Sequence, residues 1–513
     1  MRSPARPPHG RAVVIGGSIA GLCAARVLSD FFREVFVVER DRLPDGPHER
    51  PGVPQSRHIH ALLIRGRREL EALFPGFEAE MRQQGALELE FSWDFAVLQK
   101  DGWLPRARLG LRTLFASRNL IEAVVRDLAR KLPRVRFLEN TRVVGLRFSP
   151  GDPPRVTGVV VSEGPGNAPR PLDAELVVDA SGRGTRVPAW LDRAGLRPPE
   201  EDVVDAHAAY ATRWYRAPSP ELWPREWWWK GIWIDPVLPH DVTAAVLSPV
   251  EGHRWVVTLG GLARLCPPDE KGFAEKLGRL RSPILARAVA LGEPESPLYH
   301  NHAMANRFRL YHRWAHAPAG FVAIGDSVCS FNPIYGQGMT CAALSARALA
   351  DCLRKHETLD RDFSRAFFAT QARVLRDPWL MATGADFHLA ETTGKRPRGI
   401  GFFNAYTDLL FEAMRDDLFL RRRIGEVVHM LRPPSALFTP RVLRRVLPFL
   451  ARRKAGTLAA GGLRRSPSTV ASRSLASSPA EAGPQPVLAS RVLGITRTWT
   501  EGLPLRGPQE ARV

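Results

Sequence analysis

Apolar residues cluster at the start of the chain and then spread into helical spacing. Arg11 to Ile15 (RAVVI) is a short apolar run of the kind that forms a strand buried on both faces. A Gly-rich turn follows at Gly16, and Ile19 to Leu28 places its apolar residues on a helical repeat. Glu34 to Val38 is β-branched and predicts a second strand, so the chain opens with a βαβ unit. Arg42 to Arg57 is rich in Pro, Gly and charge and reads as a loop, with a helix expected over His60–Phe74. Leu120, Val124, Leu128 and Leu132 share one face of a predicted helix. Strands are expected at Val135–Leu138, Arg142–Leu146, Val156–Ser162 and Ala174–Val178.

The texture changes between about Val203 and Leu310. This stretch is rich in Trp and in alternating runs such as Arg254–Leu259, which predicts a largely antiparallel sheet. Phe321 to Ile324 looks like a return to a parallel sheet, and Thr340 to Arg354 is a clear helix. The pattern divides the chain into a flexible start (1–10), an α/β domain (11–202 and 311–362), an inserted sheet domain (203–310), a helical region (363–454) and a Ser/Ala/Pro/Gly-rich disordered tail (455–513).

A chain of 513 residues has room for such a division, and 44% hydrophobic with 25% charged residues is ordinary for a globular protein. The net charge of +20 is not ordinary. It reflects Arg-favouring composition or attraction to an acidic partner, a membrane surface or an anionic cofactor. The five Cys are scattered without metal-ligand or CxxC spacing, so neither a metal site nor a disulfide framework is expected. Met1 to Gly10 is polar and Pro-rich, without the apolar core of a signal peptide, and no stretch is long and apolar enough to span a bilayer. The expected setting is the cytoplasm, with peripheral membrane association left open; no nucleic-acid partner is expected.

Two motifs carry chemistry. Gly16-Gly17-Ser18-Ile19-Ala20-Gly21 sits between strand and helix. Gly16 permits the tight turn, Ser18 is small enough for a pyrophosphate to approach the backbone, and Gly21 lets the helix lie against the sheet. The helix start offers free N–H groups to phosphates. Glu39 ends the second strand, followed by Arg40, where an acidic side chain can accept from ribose hydroxyls. This motif alone leaves NAD and FAD unresolved. The second motif is Gly325-Asp326, then Phe331-Asn332-Pro333, then Gly336-Gln337-Gly338-Met339 and a helix. A carboxylate after a strand suits a ribityl chain, and a Gly-rich helix start suits the pyrimidine edge of a flavin, which gains negative charge on reduction.

These paired motifs, GGSIAGL and GDSVCSFNPIYGQGM, resemble those of FAD-dependent monooxygenases of the aromatic-hydroxylase type. The middle motif Val178 to Arg186 (VDASGRGTR) is similar to one that touches the cofactor region in that family. Arg118 matches an arginine placed near the FAD pyrophosphate, and Val143 a strand position whose backbone meets the adenine. Arg50 to Leu63 (RPGVPQSRHIHALL) and Thr392 to Pro397 (TTGKRP) resemble signatures of the branch containing bacterial polyether-pathway polyene epoxidases. The resemblance runs from about Arg11 to Leu447. It implies a glutathione-reductase-like, Rossmann-like FAD domain, an inserted substrate domain and FAD as cofactor. It also implies transfer of one oxygen atom from O2, through a flavin hydroperoxide, to an apolar alkene or aromatic ring. The middle motif departs from the plain Asp-Gly that family hydroxylases tie to NADPH, so NADPH or NADH would act directly or through a separate flavin reductase. No side chain need act as nucleophile, and no catalytic residue is assigned.

Other features have two readings each. His58 and His60 could orient a substrate oxygen or serve as structural hydrogen bonders. Trp223, Trp227, Trp228, Trp229 and Trp233 could line an apolar pocket or pack a sheet. Trp229 to Pro236 does not fit the Trp-x-Trp-x-Ile-Pro spacing of flavin-dependent halogenases. The basic amphipathic segment 441–454 could be a solvated helix or a dock for a membrane surface or an acidic carrier protein. Besides the monooxygenase, three readings stay open: a reductase of prenyl double bonds, a halogenase, and a non-catalytic redox-sensing flavoprotein.

Overall fold

The computed structural model describes residues 9–454 apart from 152–153, 165–166, 239 and 303–304. The expected disordered tail and residues 1–8 lie outside the described residues. His9 and Gly10 do not: the first strand is His9–Ile15, two residues longer than its apolar run, because the His9 N–H reaches the Phe31 carbonyl and the Gly10 N–H the Glu175 carboxylate.

That strand is central in a five-stranded parallel sheet. The order across it is Phe321–Ala323, Leu176–Asp179, His9–Ile15, Phe32–Val38, Val135–Leu138. Val13, Val14, Val177 and Val178 are fully buried, as strands covered on both faces must be. Helix Ile19–Leu28 covers one face, wedged against helices Arg118–Arg130 and Gly338–Lys355. Burial of each such side chain is worth about 1.5–3 kcal/mol.

A second sheet has eight strands. Ala208–Arg216, Arg254–Leu262, Ala244–Val250 and Gly231–Ile234 form its antiparallel middle. Phe95–Gln99 extends it in parallel to Gly231–Ile234. This strand, with Gly102–Trp103, comes from outside the stretch expected to build the sheet. Gly231 makes room for it: a Cβ there would lie 2.2 Å from the Phe95 ring.

Two helix starts differ from expectation. Gly338–Lys355 begins at the Gly-rich motif itself. The helix expected from His60 begins only at Ile64; before it the chain is tied down elsewhere, His58 to Thr212 of the second sheet and the Leu62 carbonyl to the Thr113 hydroxyl. Helices Arg361–Asp386, Ile400–Ala413, Leu418–Val428 and Pro440–Lys454 fill most of the region beyond.

Candidate functional site

The two motifs meet at the carboxyl ends of the parallel strands, where an α/β sheet places its ligand crevice. One cavity of about 940 Å³ opens there. Gly16, Ser18, Ile19, Ala20, Glu39, Arg40, Arg118, Val143, Asp326, Pro333 and Gly336 to Met339 all line it. Gly17 and Gly21 do not. Gly17 donates its N–H to Glu39 Oε2 at 2.7 Å. A Cβ on Gly21 would fall 1.8 Å from the Gly16 carbonyl, so glycine is what lets helix and turn touch. Gly16 itself has φ +104, and a Cβ there would meet the Ala180 carbonyl at 2.7 Å.

At one end of the cavity stands a buried ionic network that the motifs only partly disclose. Arg50 contacts Asp41 at 2.8 Å, Glu122 at 2.9 Å and Glu39 at 3.2 Å. Arg118 contacts Glu122 at 2.8 Å. Ser18 is more than small: its hydroxyl donates to Glu122 at 2.6 Å and accepts from Arg118 at 2.8 Å. Burial alone would raise the Glu122 carboxyl, but Arg118 and Arg50 outweigh it and hold it below the usual carboxylate range. Glu39 already serves the Gly17 and Asp41 N–H groups and Arg50, which leaves it little spare capacity to accept from a ligand. Arg118 keeps one guanidinium nitrogen, Nη1, buried without a partner among the described residues.

Midway, Asp326 faces the cavity. Its carboxylate makes no hydrogen bond among the described residues. Burial pushes it up, against the pull of Arg183, Arg118 and Arg309. Beside it starts helix Gly338–Lys355, whose N-cap Gln337 supplies no capping hydrogen bond. The middle motif works from behind. Asp179, fully buried, accepts from Ser181 Oγ and Thr185 Oγ1 (both 2.6 Å) and from Ser327 Oγ at 3.2 Å. It ties the end of one strand to the Gly325–Ser327 turn, while Ala180 to Gly184 line the cavity.

The far wall comes from the second sheet and the extended segment before Ile64. His58 Nδ1 lies 2.9 Å from Thr212 Oγ1, and its ring meets Tyr210 edge-on at 4.7 Å. Burial, then Arg57 and His300, pull His58 down to about 4; burial, then Arg118, pull His60 down to about 3. Both rings are therefore neutral at pH 7. His60 Nδ1 sits 3.0 Å from the His58 carbonyl, which can only accept, so Nδ1 carries the proton and Nε2 is a bare acceptor. Tyr210, Tyr299, His300 and Asn301 complete a wall more polar than the expected apolar substrate requires.

The Trp cluster stands elsewhere. Trp223, Trp227, Trp229 and Trp255 pack with ring centroids 4.8–6.5 Å apart in the core beneath the second sheet. None of the five singled-out Trp residues borders the cavity; Trp190, which the sequence did not single out, does. Among the described residues, no group of three His, Cys, Asp or Glu could hold a metal ion, and no helix is long and apolar enough to cross a membrane.

Protein Rv3254 of Mycobacterium tuberculosis (strain ATCC 25618 / H37Rv) is 34% identical to this chain over 440 residues, 81% of this chain and 89% of its own length. The chain belongs to the family of that protein. No family model matches it. Among solved structures it is similar to p-nitrophenol 4-monooxygenase PnpA from Pseudomonas putida DLL-E4, at 18% identity and TM-score 0.59 over 83% of this chain and 99% of that one. The flavin-dependent brominase Bmp2 aligns at 16% identity and TM-score 0.58, over 87% and 98%. P. aeruginosa PqsL in complex with 2-aminobenzoylacetate aligns at 20% and 0.56, over 77% and 100%. The chain thus has the mixed α/β fold of these solved structures.

Proposed function

We propose that the chain is an FAD-dependent monooxygenase that inserts one oxygen atom from O2 into an organic substrate. The observation that carries this is the set of unmet polar groups along one cavity: the partnerless Nη1 of Arg118, the unpaired carboxylate of Asp326 and the uncapped helix start at Gly338. A pyrophosphate, a ribityl chain and a flavin edge ask for these groups in this order. The residues present therefore fit FAD, held by Gly16, Ser18, Ile19, Ala20 and Arg118 at the phosphates, Glu39, Arg40 and Val143 at the adenosine end, Asp326 at the ribityl and Pro333 and Gly336 to Met339 at the flavin.

Bound FAD would supply the electrons that activate O2. The protein's own residues position and exclude. The wall of Tyr210, Tyr299, His300 and Asn301 holds the substrate, and the bare Nε2 of His60 accepts a hydrogen bond from a donor brought into the cavity. We favour a largely apolar alkene or aromatic substrate that carries at least one hydrogen-bonding group. Polyene epoxidation is the narrower form of this reading. NADPH or NADH would provide electrons, directly or through a flavin reductase.

The test begins with flavin absorbance of the purified protein, which Asp326→Ala should largely abolish. Unchanged occupancy would mean that the ribityl contact is misassigned. Reduced protein is then mixed with ¹⁸O2 and a panel of aromatic and polyene candidates. Label in product supports the monooxygenase; saturation of the alkene without oxygen supports the reductase.

The basic segment is a separate proposal. Arg441 and Arg445 lie over the Phe419 ring, and Arg445 pairs with Asp417 at 2.7 Å, so part of its charge is satisfied locally. Arg444, Leu447 and Leu450 face outward. We propose that this face rests on anionic membrane. Co-sedimentation with phosphatidylserine vesicles at low salt, lost at high salt, is expected; no binding at low salt would end the idea.

A further inference from the structure

Behind the Phe331-Asn332-Pro333 turn lies a cluster built on a carboxylate that neither motif contains. Asp386, the last residue of helix Arg361–Asp386, is 4% exposed. Its carboxylate accepts from Asn306 Nδ2 at 2.6 Å, Asn332 Nδ2 at 3.2 Å and Tyr335 Oη at 3.3 Å. Both asparagines are used on their other side as well. Asn306 Oδ1 accepts from the Asn332 N–H at 2.7 Å, and Asn332 Oδ1 from the Ile334 N–H at 3.3 Å. The short turn Pro333–Tyr335 then closes at Gly336, whose φ of +63 aims the chain into Gln337 and the helix start.

Asp386 is itself fixed from the other side, through its backbone. Thr392 Oγ1 donates to the Asp386 carbonyl at 2.6 Å. Thr393 and Asp205 exchange backbone hydrogen bonds at 2.9 and 3.1 Å. Gly394, at φ +113, runs so close that a Cβ would lie 2.4 Å from the Val203 carbonyl. Val203 belongs to strand Glu201–Val204, which pairs with Asn306–Arg309 and so fixes Asn306. The TTGKRP segment therefore clamps the helix end to the strand that pairs with the one carrying Asn306.

We propose that Asp386 is the positioning residue of the flavin end of the cavity: through Asn306, Asn332 and Tyr335 it fixes where Pro333 to Met339 stand against the flavin. Asp386 does not border the cavity, so it acts through the turn. The inference rests on the FAD reading for its ligand, while its mechanical part concerns this chain alone.

Two variants separate these parts. Asp386→Asn puts an amide among three donors. Tyr335→Phe removes one donor, from a residue that does not line the cavity, and should leave the fold intact. Amide hydrogen exchange of Asn332, Ile334 and Gly336 in the unloaded protein is expected to quicken about tenfold or more in Asp386→Asn, and less in Tyr335→Phe. With FAD added, affinity should fall about tenfold and two- to threefold, and the visible flavin band should shift in the same direction in both. Wild-type exchange rates together with a wild-type flavin spectrum in both variants would overturn the proposal. Quickened exchange in a chain whose wild type binds no FAD would leave the clamp standing and remove the FAD reading.

Discussion

At one end of the cavity, Arg50 and Arg118 sit among Glu39, Asp41 and Glu122. At the other, a single carboxylate, Asp386, meets only the neutral donors of Asn306, Asn332 and Tyr335. Both clusters are buried, yet one is an ionic lattice and the other a set of dipoles around one charge. The difference matches what each end would hold. A pyrophosphate keeps its negative charge, so an arginine held rigidly by carboxylates, as Arg118 is by Glu122, would be well placed beside it. A flavin gains negative charge when reduced, and the helix start at Gly338 lies where its partial positive charge would favour that state. The lattice also leaves Arg118 Nη1 with neither a hydrogen bond nor an ion pair among the described residues, while the Asp386 carboxylate accepts from three donors.

The strongest way to break this contrast is to remove Glu122. Glu122→Gln leaves Arg118 without its carboxylate and Arg50 with two of three, and removing one partner of a buried pair costs about 3–5 kcal/mol. Denaturant melts should show a loss of about that size, together with loss of FAD binding. A loss under about 1 kcal/mol would mean that the arginines find replacement partners and the lattice is redundant.

Asp386 should show the opposite pH behaviour. Burial pushes its carboxyl up from 3.8 to about 6, against its three hydrogen-bond donors, with Asp205 adding to the rise. A raised folded value means that folding favours the protonated form. Stability from this group is full below pH 3.8 and is lost as pH rises through about 6, by on the order of 3 kcal/mol at most. Glu122, held low, contributes in the reverse sense, losing stability as pH falls. The melting temperature of the wild type minus that of Asp386→Asn should therefore decline between pH 4 and 7. A flat difference would show that Asp386 does not titrate there.

The smallest expected effect sharpens the geometry. Gly336→Ala places a side chain at φ +63 with its Cβ 3.0 Å from Ala61 Cβ. The strain is worth about 1–2 kcal/mol, and FAD affinity should weaken a few-fold. An unchanged Kd would mean that the turn yields without disturbing the site.

The front of the site was legible in the sequence because glycine spacing after a strand reports a backbone requirement, and Gly16, Gly21 and Gly336 each meet one here. The ionic lattice was half legible. Arg50 lies within RPGVPQSRHIHALL, and Glu122 stands one helical turn after Arg118, yet nothing local says that Arg50 meets Glu122, Asp41 and Glu39. Asp386 was invisible. It lies 54 and 80 residues from its asparagine partners, and a helix-ending Asp ordinarily faces water. The eight-stranded sheet was misjudged at Phe95–Gln99 for the same reason, since its partner Gly231–Ile234 lies far along the chain.

The parallel sheet has one further consequence, for how the protein comes into being. Its strand Leu176–Asp179 pairs with Phe321–Ala323, and nearly the whole second sheet is made between them. On the ribosome the glycine turn and its helix can form early, but the edge strand, the Asp326 turn and the clamp at Asp386 emerge only after residue 320. Such distant pairing is slow to close, and domains generally fold in the order of synthesis. The nascent chain therefore carries half of the cavity's lining through most of its synthesis. A truncation that stops before residue 386 should leave that crevice open and prone to association.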